Sequence, residues 1–318
     1  MIKGGFCLVE TLFDVHCELP VDIGDGIRIQ RPSAAQSEII AAIDDDALAY
    51  FISRIDLKRF THDNVEVSDS AASANSWNSV LLPKSQQRFL VISFTGQEGR
   101  IHAFELLAGL MTPALRFMLY IYTSEPAGEG LKQGSMFVGS ASTKPSWVPE
   151  AISELAPTYV SELKRLWLRW NEVTPTCGWI VQAASMLHDL RTVPKHQPLH
   201  LLGLFAVLEL LVTHNPHGKD NHDSISHQLR TKMPLCFARM PLPPDSSVFP
   251  NLSLSKLWDI LYALRSLIAH GGMPDYSKGK FLALNSQYQA LDFLEDTVRK
   301  LAVLAINEPR LIHDLKAV

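Results

Sequence analysis

Leu261-Tyr262-Ala263-Leu264-Arg265-Ser266-Leu267-Ile268-Ala269-His270-Gly271-Gly272 closes an apolar run that begins at Leu254. At 100° per residue, Leu257, Leu261, Leu264 and Ile268 fall on one stripe. The stretch reads as an amphipathic helix, capped by Ser253 or Ser255 and stopped by the two glycines. A helix with one apolar stripe needs partners, and the neighbouring sequence supplies them. Ile152, Leu155, Tyr159, Leu163, Leu166, Trp167 and Trp170 recur at three- and four-residue spacing, as do Trp179, Ile180, Ala183, Met186, Leu187 and Leu190. Leu199 to Val212 is apolar nearly all round and is expected to be the central helix. Tyr288 to Leu304 supplies the last one. Residues 149–318 therefore read as an all-α helical bundle.

Residues 1–148 follow a different pattern and read as a mixed α/β domain with a sensor or regulatory role, which makes the whole chain α+β. Ile27 to Arg31 alternates like a short strand after the turn signal Gly24-Asp25-Gly26. Phe89 to Phe94 is a continuous apolar run of strand length, ending at Gly96. Gly99 to Leu110 looks helical, and Arg116 to Tyr122 is a further strand. Ser68 to Ser79 is expected to be a loop. Ser135 to Pro149 has linker composition, which places the domain boundary at 148/149.

The chain has 318 residues, 47% of them apolar and 19% charged, so it is globular rather than disordered. A net charge of -4 removes any bulk electrostatic case for nucleic-acid binding; an RNA contact must rest on a local patch. Cys7, Cys17, Cys177 and Cys236 show no CxxC spacing and are expected to be free thiols, neither disulfides nor a zinc site. The N-terminus has no signal-peptide pattern, and the apolar run from Leu199 is too short to span a bilayer. A soluble cytoplasmic protein with no membrane association and no cofactor is the expectation.

Arg265 and His270 carry the sharpest chemical signal. A histidine titrates near neutral pH and can take a proton from a ribose 2′-OH or give one to a leaving oxygen. An arginine stays cationic and holds phosphate through a planar fork. Together they can cleave RNA without a metal. The same residues also make a good helix stop, because histidine and glycine both favour helix C-termini. Five positions separate the pair, so they point roughly 140° apart on one helix. Two helices related by a twofold axis could bring both pairs to one groove, which favours a homodimer. Trp258, Tyr262, Ser266 and Ala269 lie between Arg265 and His270. This uncharged face is expected to be covered, by the first domain or by a second copy.

Leu261 to Gly272 resembles the R-x4–6-H signature of the HEPN superfamily, nearest to its ApeA-like group. Leu204 to Leu211 is similar to the family's Ala-x-Glu-x-Leu element, here with two residues between Ala206 and Glu209. Leu229-Arg230 resembles a Leu-Arg element that precedes the motif helix. The resemblance spans about residues 150–318. It implies a metal-independent endoribonuclease, dimeric through the motif helix, of the kind that serves as a toxin or anti-phage effector against tRNA or other RNA and is held by an antitoxin or regulatory partner. By position, Arg265 would contact the scissile phosphate and His270 would be the general acid/base. Ser266 stands where active members often carry Asn, Asp or His. Members that have lost catalysis bind RNA or a protein partner instead.

Other residues admit two readings. Glu209 is the single acid in an apolar helix; it either holds the bundle through Arg230 or Arg265, or orients Arg265. His214, His217, His222 and His227, with Asp220 and Asp223, crowd one loop but fit no zinc pattern, so a solvated loop is expected. With Lys219, Arg230 and Lys232 that loop could form a local RNA-contacting patch. Gly96 to Gly99 lacks a phosphate-loop pattern and reads as a tight turn. Asp44 to Asp46 reads as a solvated helix end, and Lys164, Arg165 and Arg169 as a solvated helix face.

Overall fold

The computed structural model describes residues 4–47, 58–67, 76–96, 98–123, 136–138, 152–215 and 224–317. The chain is α+β and divides into two compact units, residues 1–165 and 166–318.

The first unit is built on a six-stranded antiparallel sheet. Its strands are β1 (Gly4–Val9), β3 (Val21–Gly24), β4 (Ile27–Gln30), β7 (Val91–Thr95), β8 (Phe117–Thr123) and β9 (Met136–Val138), in the order β3-β4-β7-β1-β8-β9. Its core includes Phe6, Leu8, Val91, Leu119 and Ile121 of the sheet with Ile40 of α1 (Ala34–Ala47) and Phe60 of α2 (Lys58–Thr61). Phe104 of α3 (Glu98–Ala108) stacks on Phe117 with ring centroids 6.0 Å apart. Burial and the nearby Glu105 carboxylate push the Cys7 thiol well up, so this core cysteine is inert.

The turn signal at Gly24-Asp25-Gly26 joins β3 to β4. Asp25 has φ 53° and Gly26 φ 77°, the two positive values a tight primed hairpin turn requires. Of the remaining short strands, β2 (Phe13–Val15) pairs in parallel with β10 (Ser153–Leu155), and β5 (His62–Val67) pairs with β6 (Ser76–Leu81). Three sequence expectations change here. Residues 76–79 belong to β6 rather than to a loop, while 68–75 lie outside the described residues. Ile152 to Leu155 is extended, not helical, because Ser153 to Leu155 pair with Phe13 to Val15; α4 (Pro157–Val173) starts after it, with proline in the first turn where no amide is needed. Of the linker expected at Ser135 to Pro149, residues 136–138 are instead strand β9, held by pairing with β8, while 135 and 139–149 lie outside the described residues.

The second unit contains the end of α4 and then α5 (Gly178–Leu190), α6 (Pro198–Val212), α7 (Ile225–Arg239), α8 (Leu254–Ala269), α9 (Gln287–Asn307) and α10 (Pro309–Ala317). Helix α6 touches α5, α7, α8, α9 and α10, the central position its all-round apolarity implies. One stripe of α6 stays open nonetheless: Leu199 is 60% exposed and Ala206 is exposed. Among the described residues no helix is long and apolar enough to cross a membrane, and no group of histidine, cysteine and acidic side chains could hold a metal ion.

Candidate functional site

Helix α8 begins at Ser253, whose hydroxyl accepts from the Lys256 amide at 3.3 Å. Leu257, Leu261, Leu264 and Ile268 are all buried, as the wheel requires. The helix ends at His270, the C-cap, with Gly271 at φ 77°. The Gly271 amide bonds the Ile268 carbonyl and the Gly272 amide bonds the Leu267 carbonyl, each at 2.9 Å. These two bonds define a Schellman ending. Each glycine has its own reason. Gly271 occupies the left-handed region, and a Cβ on Gly272 would meet Leu267 Cδ1 at 2.3 Å. His270 is left exposed at the tip.

Arg265 lies against α6. Its Nε is 3.3 Å from Glu209 Oε1, and its guanidinium carbon sits 5.7 Å from the Tyr262 ring centre. Neither Nε nor Oε1 is aligned for a hydrogen bond, and both atoms are buried. The two terminal nitrogens of Arg265 have no partner among the described residues and are not buried. Glu209 thus anchors the guanidinium from behind while the outer edge of the fork faces outward. Burial raises the Glu209 carboxyl above its ordinary range, and the charge of Arg265 partly reverses this. Burial also raises the Tyr262 hydroxyl, against a lowering by Arg265. Tyr262 meets Phe205 of α6 edge-on at 6.4 Å. Ser266 is half-buried on the same side.

The aromatic face expected to need a partner is largely satisfied within the unit. Trp258 is fully buried, with Phe237 of α7 at 6.4 Å and Phe293 of α9 at 6.2 Å. The reason is α7, which covers the side of α8 that the wheel left open. Tyr262, Ser266, Ala269 and His270 remain wholly or partly exposed.

The structure separates the other candidates. Glu209 takes Arg265, whereas Arg230 lies 2.9 Å from His227 Nδ1 and 3.8 Å from Asp259. Lys232 is only 6% exposed and directs its ammonium to Gln228 Oε1 at 3.2 Å and His214 Nδ1 at 3.4 Å. Lys232 is therefore no surface contact for RNA. Lys219, with His217, Asp220, His222 and Asp223, lies outside the described residues. Arg165 pairs with Glu162 and Arg169 with Glu172, each at 2.7 Å, as a solvated helix face would. The four cysteines are free. What sequence reasoning missed is the reach of Arg265 to Tyr262, an i, i−3 contact that helical spacing alone permits.

The C-terminal end of α8 thus presents the outer edge of Arg265, with Glu209 behind it, and the exposed His270. No protein-family model matches the chain, and no curated protein and no solved structure is significantly similar to it.

Proposed function

We propose that the chain is a metal-independent endoribonuclease of the HEPN type, acting as a homodimer in toxin-like or anti-phage defence. The observation that carries this reading is the outward-facing Arg265 fork, backed by Glu209, on the same helix end as the exposed His270. An arginine with free terminal nitrogens matches two phosphate oxygens at once.

In the proposed reaction the ribose 2′-oxygen bonds the adjacent phosphorus as its proton passes to a neutral His270 imidazole. The bond from phosphorus to the 5′-oxygen breaks, and a protonated imidazole gives that oxygen its proton. Arg265 neutralises the charge that accumulates on the equatorial phosphate oxygens. Two copies supply one histidine for each proton transfer, which answers the divergence of Arg265 and His270 on a single helix. RNA provides the nucleophile, so no cofactor is required.

The test is cleavage of total RNA in EDTA by wild type, Arg265→Ala and His270→Ala. The expected losses are about 10²- to 10³-fold for the arginine and about 10²- to 10⁴-fold for the histidine. Equal cleavage by wild type and His270→Ala would sink the catalytic assignment.

One observation favours a second reading, a catalytically silent module that binds RNA or a protein partner. Glu209 already offsets the charge of Arg265, and Ser266 is a weak polar helper. On that reading no variant cleaves, yet Arg265→Ala still loses RNA retention in a filter assay at low salt.

A further inference from the structure

The hairpin of the first unit contributes to a cleft that the ribonuclease reading does not use. Its volume is about 550 Å³, within the range of small-molecule sites. Val15, Leu19 and Pro20 give it an apolar side, and Arg31, Ser85 and Cys17 give it a polar one. Arg31 follows directly on β4, so the hairpin that fixes the strand also fixes the base of this side chain.

The guanidinium of Arg31 is held in place but not neutralised. Nη1 donates to the Gln87 carbonyl, and Nη2 donates to the Ser85 carbonyl at 2.6 Å. Carbonyl oxygens orient a guanidinium without cancelling its charge, and no carboxylate among the described residues pairs with Arg31. The nearest acid in sequence on β2, Asp14, is taken by Arg88 at 2.8 Å. Glu18 stands between two residues of the lining but does not line the cleft itself. Among the described residues three of the five N–H donors of Arg31 have no acceptor, and the Ser85 hydroxyl has none either.

We propose that this cleft binds a small organic monocarboxylate. The carboxylate meets the free donors of Arg31 and the Ser85 hydroxyl, and an apolar body lies along Val15, Leu19 and Pro20. The charge count favours a carboxylate over a phosphate monoester. Arg31 is the one formal charge among the described lining residues, which balances a single negative charge and leaves a dianion short.

The cysteines provide a readout in the unmodified full-length protein. Cys17 lines the cleft, whereas Cys177, in the other unit, is similarly half-exposed and serves as an internal control. Burial raises the Cys17 thiol, so alkylation is followed at alkaline pH. Iodoacetamide labelling of both cysteines is measured by peptide mass spectrometry with hexanoate, hexanamide or inorganic phosphate present. Hexanoate is expected to slow Cys17 by about tenfold at ten times its Kd, a Kd of about millimolar being reasonable for one charged contact. Cys177 is expected to be unaffected, and hexanamide and phosphate to leave both rates unchanged. Arg31→Met, checked for an unchanged thermal midpoint, is expected to remove the protection.

No protection by hexanoate in wild type, or equal slowing of Cys177, overturns the proposal without any variant. Protection by hexanamide shows that the charge is not read, and protection by phosphate alone shows that the apolar side is not. Either result overturns the monocarboxylate assignment.

Discussion

Burial raises the Glu209 carboxyl above the ordinary glutamate value of 4.5, and the Arg265 guanidinium offsets only part of that cost. A carboxyl whose folded pKa lies above its unfolded value contributes stability at low pH and loses it as pH rises through the folded pKa. Glu209→Gln imitates the protonated form and does not titrate. The difference in thermal midpoint between Glu209→Gln and wild type is therefore expected to move in favour of the variant as pH rises from below 4.5 to 7. The change is expected to stay under about 1 kcal/mol, because both side chains keep part of their hydration. A difference that does not change with pH would show that Glu209 ionises freely. The same variant is informative at the site. Releasing Arg265 from its anchor is expected to lower cleavage if orientation matters, and to leave it unchanged if Glu209 serves only the bundle.

At the scale of the element, the end of α8 ties conformation to function. Gly271 sits at φ 77° with nothing within 4 Å of a Cβ, so alanine there meets no clash and pays only for the left-handed backbone. Gly271→Ala is expected to cost about 1 kcal/mol in denaturant unfolding, and Gly271→Asn less, since asparagine tolerates that region. Equal stability of all three forms would mean that the Schellman ending is not maintained in solution. Helices with a strong apolar pattern were legible before the structure: α5, α8 and α9 follow from apolar spacing, and α6 from its nearly all-round apolarity. Helix α7 was not, because Pro234 interrupts it and Ser226, His227, Gln228 and Thr231 blur its pattern. It is held by the Ser224 cap, which accepts from the His227 amide, and by packing on α8. Strand β1 was not legible, because Gly4-Gly5 at its start is poor strand sequence. In the sheet Gly5 is required, because a Cβ there would meet the Ile121 carbonyl oxygen at 2.1 Å. The pairing of Arg265 with Glu209 was legible as one of two options, while the burial of Trp258 and Lys232 depended on the unseen α7.

For the whole molecule, the burial of Trp258 narrows the argument for a homodimer without removing it. Part of the face once attributed to a partner is core. What stays open is the tip of α8, with Ala269 and His270, followed by Met273 at 92% exposure; the exposed Leu199 lies at the far end of α6, since Phe205 and Glu209 of that helix already face Tyr262 and Arg265. Exposed apolar residues single out an interface only when they are contiguous, so the proposal needs a variant that alters this surface and nothing beneath it. Ala269 meets that need: it is exposed, and it ends the helix without forming part of the buried stripe. Ala269→Glu is expected to leave the unfolding free energy within about 0.5 kcal/mol of wild type, as surface changes ordinarily do. In light scattering at micromolar concentration it is expected to convert a dimeric mass to a monomeric one, and to abolish RNA cleavage with it. A wild type that is already monomeric yet active would remove the twofold site from the mechanism. A variant that stays dimeric but inactive would place the copies' contact elsewhere and leave Ala269 as part of the RNA surface.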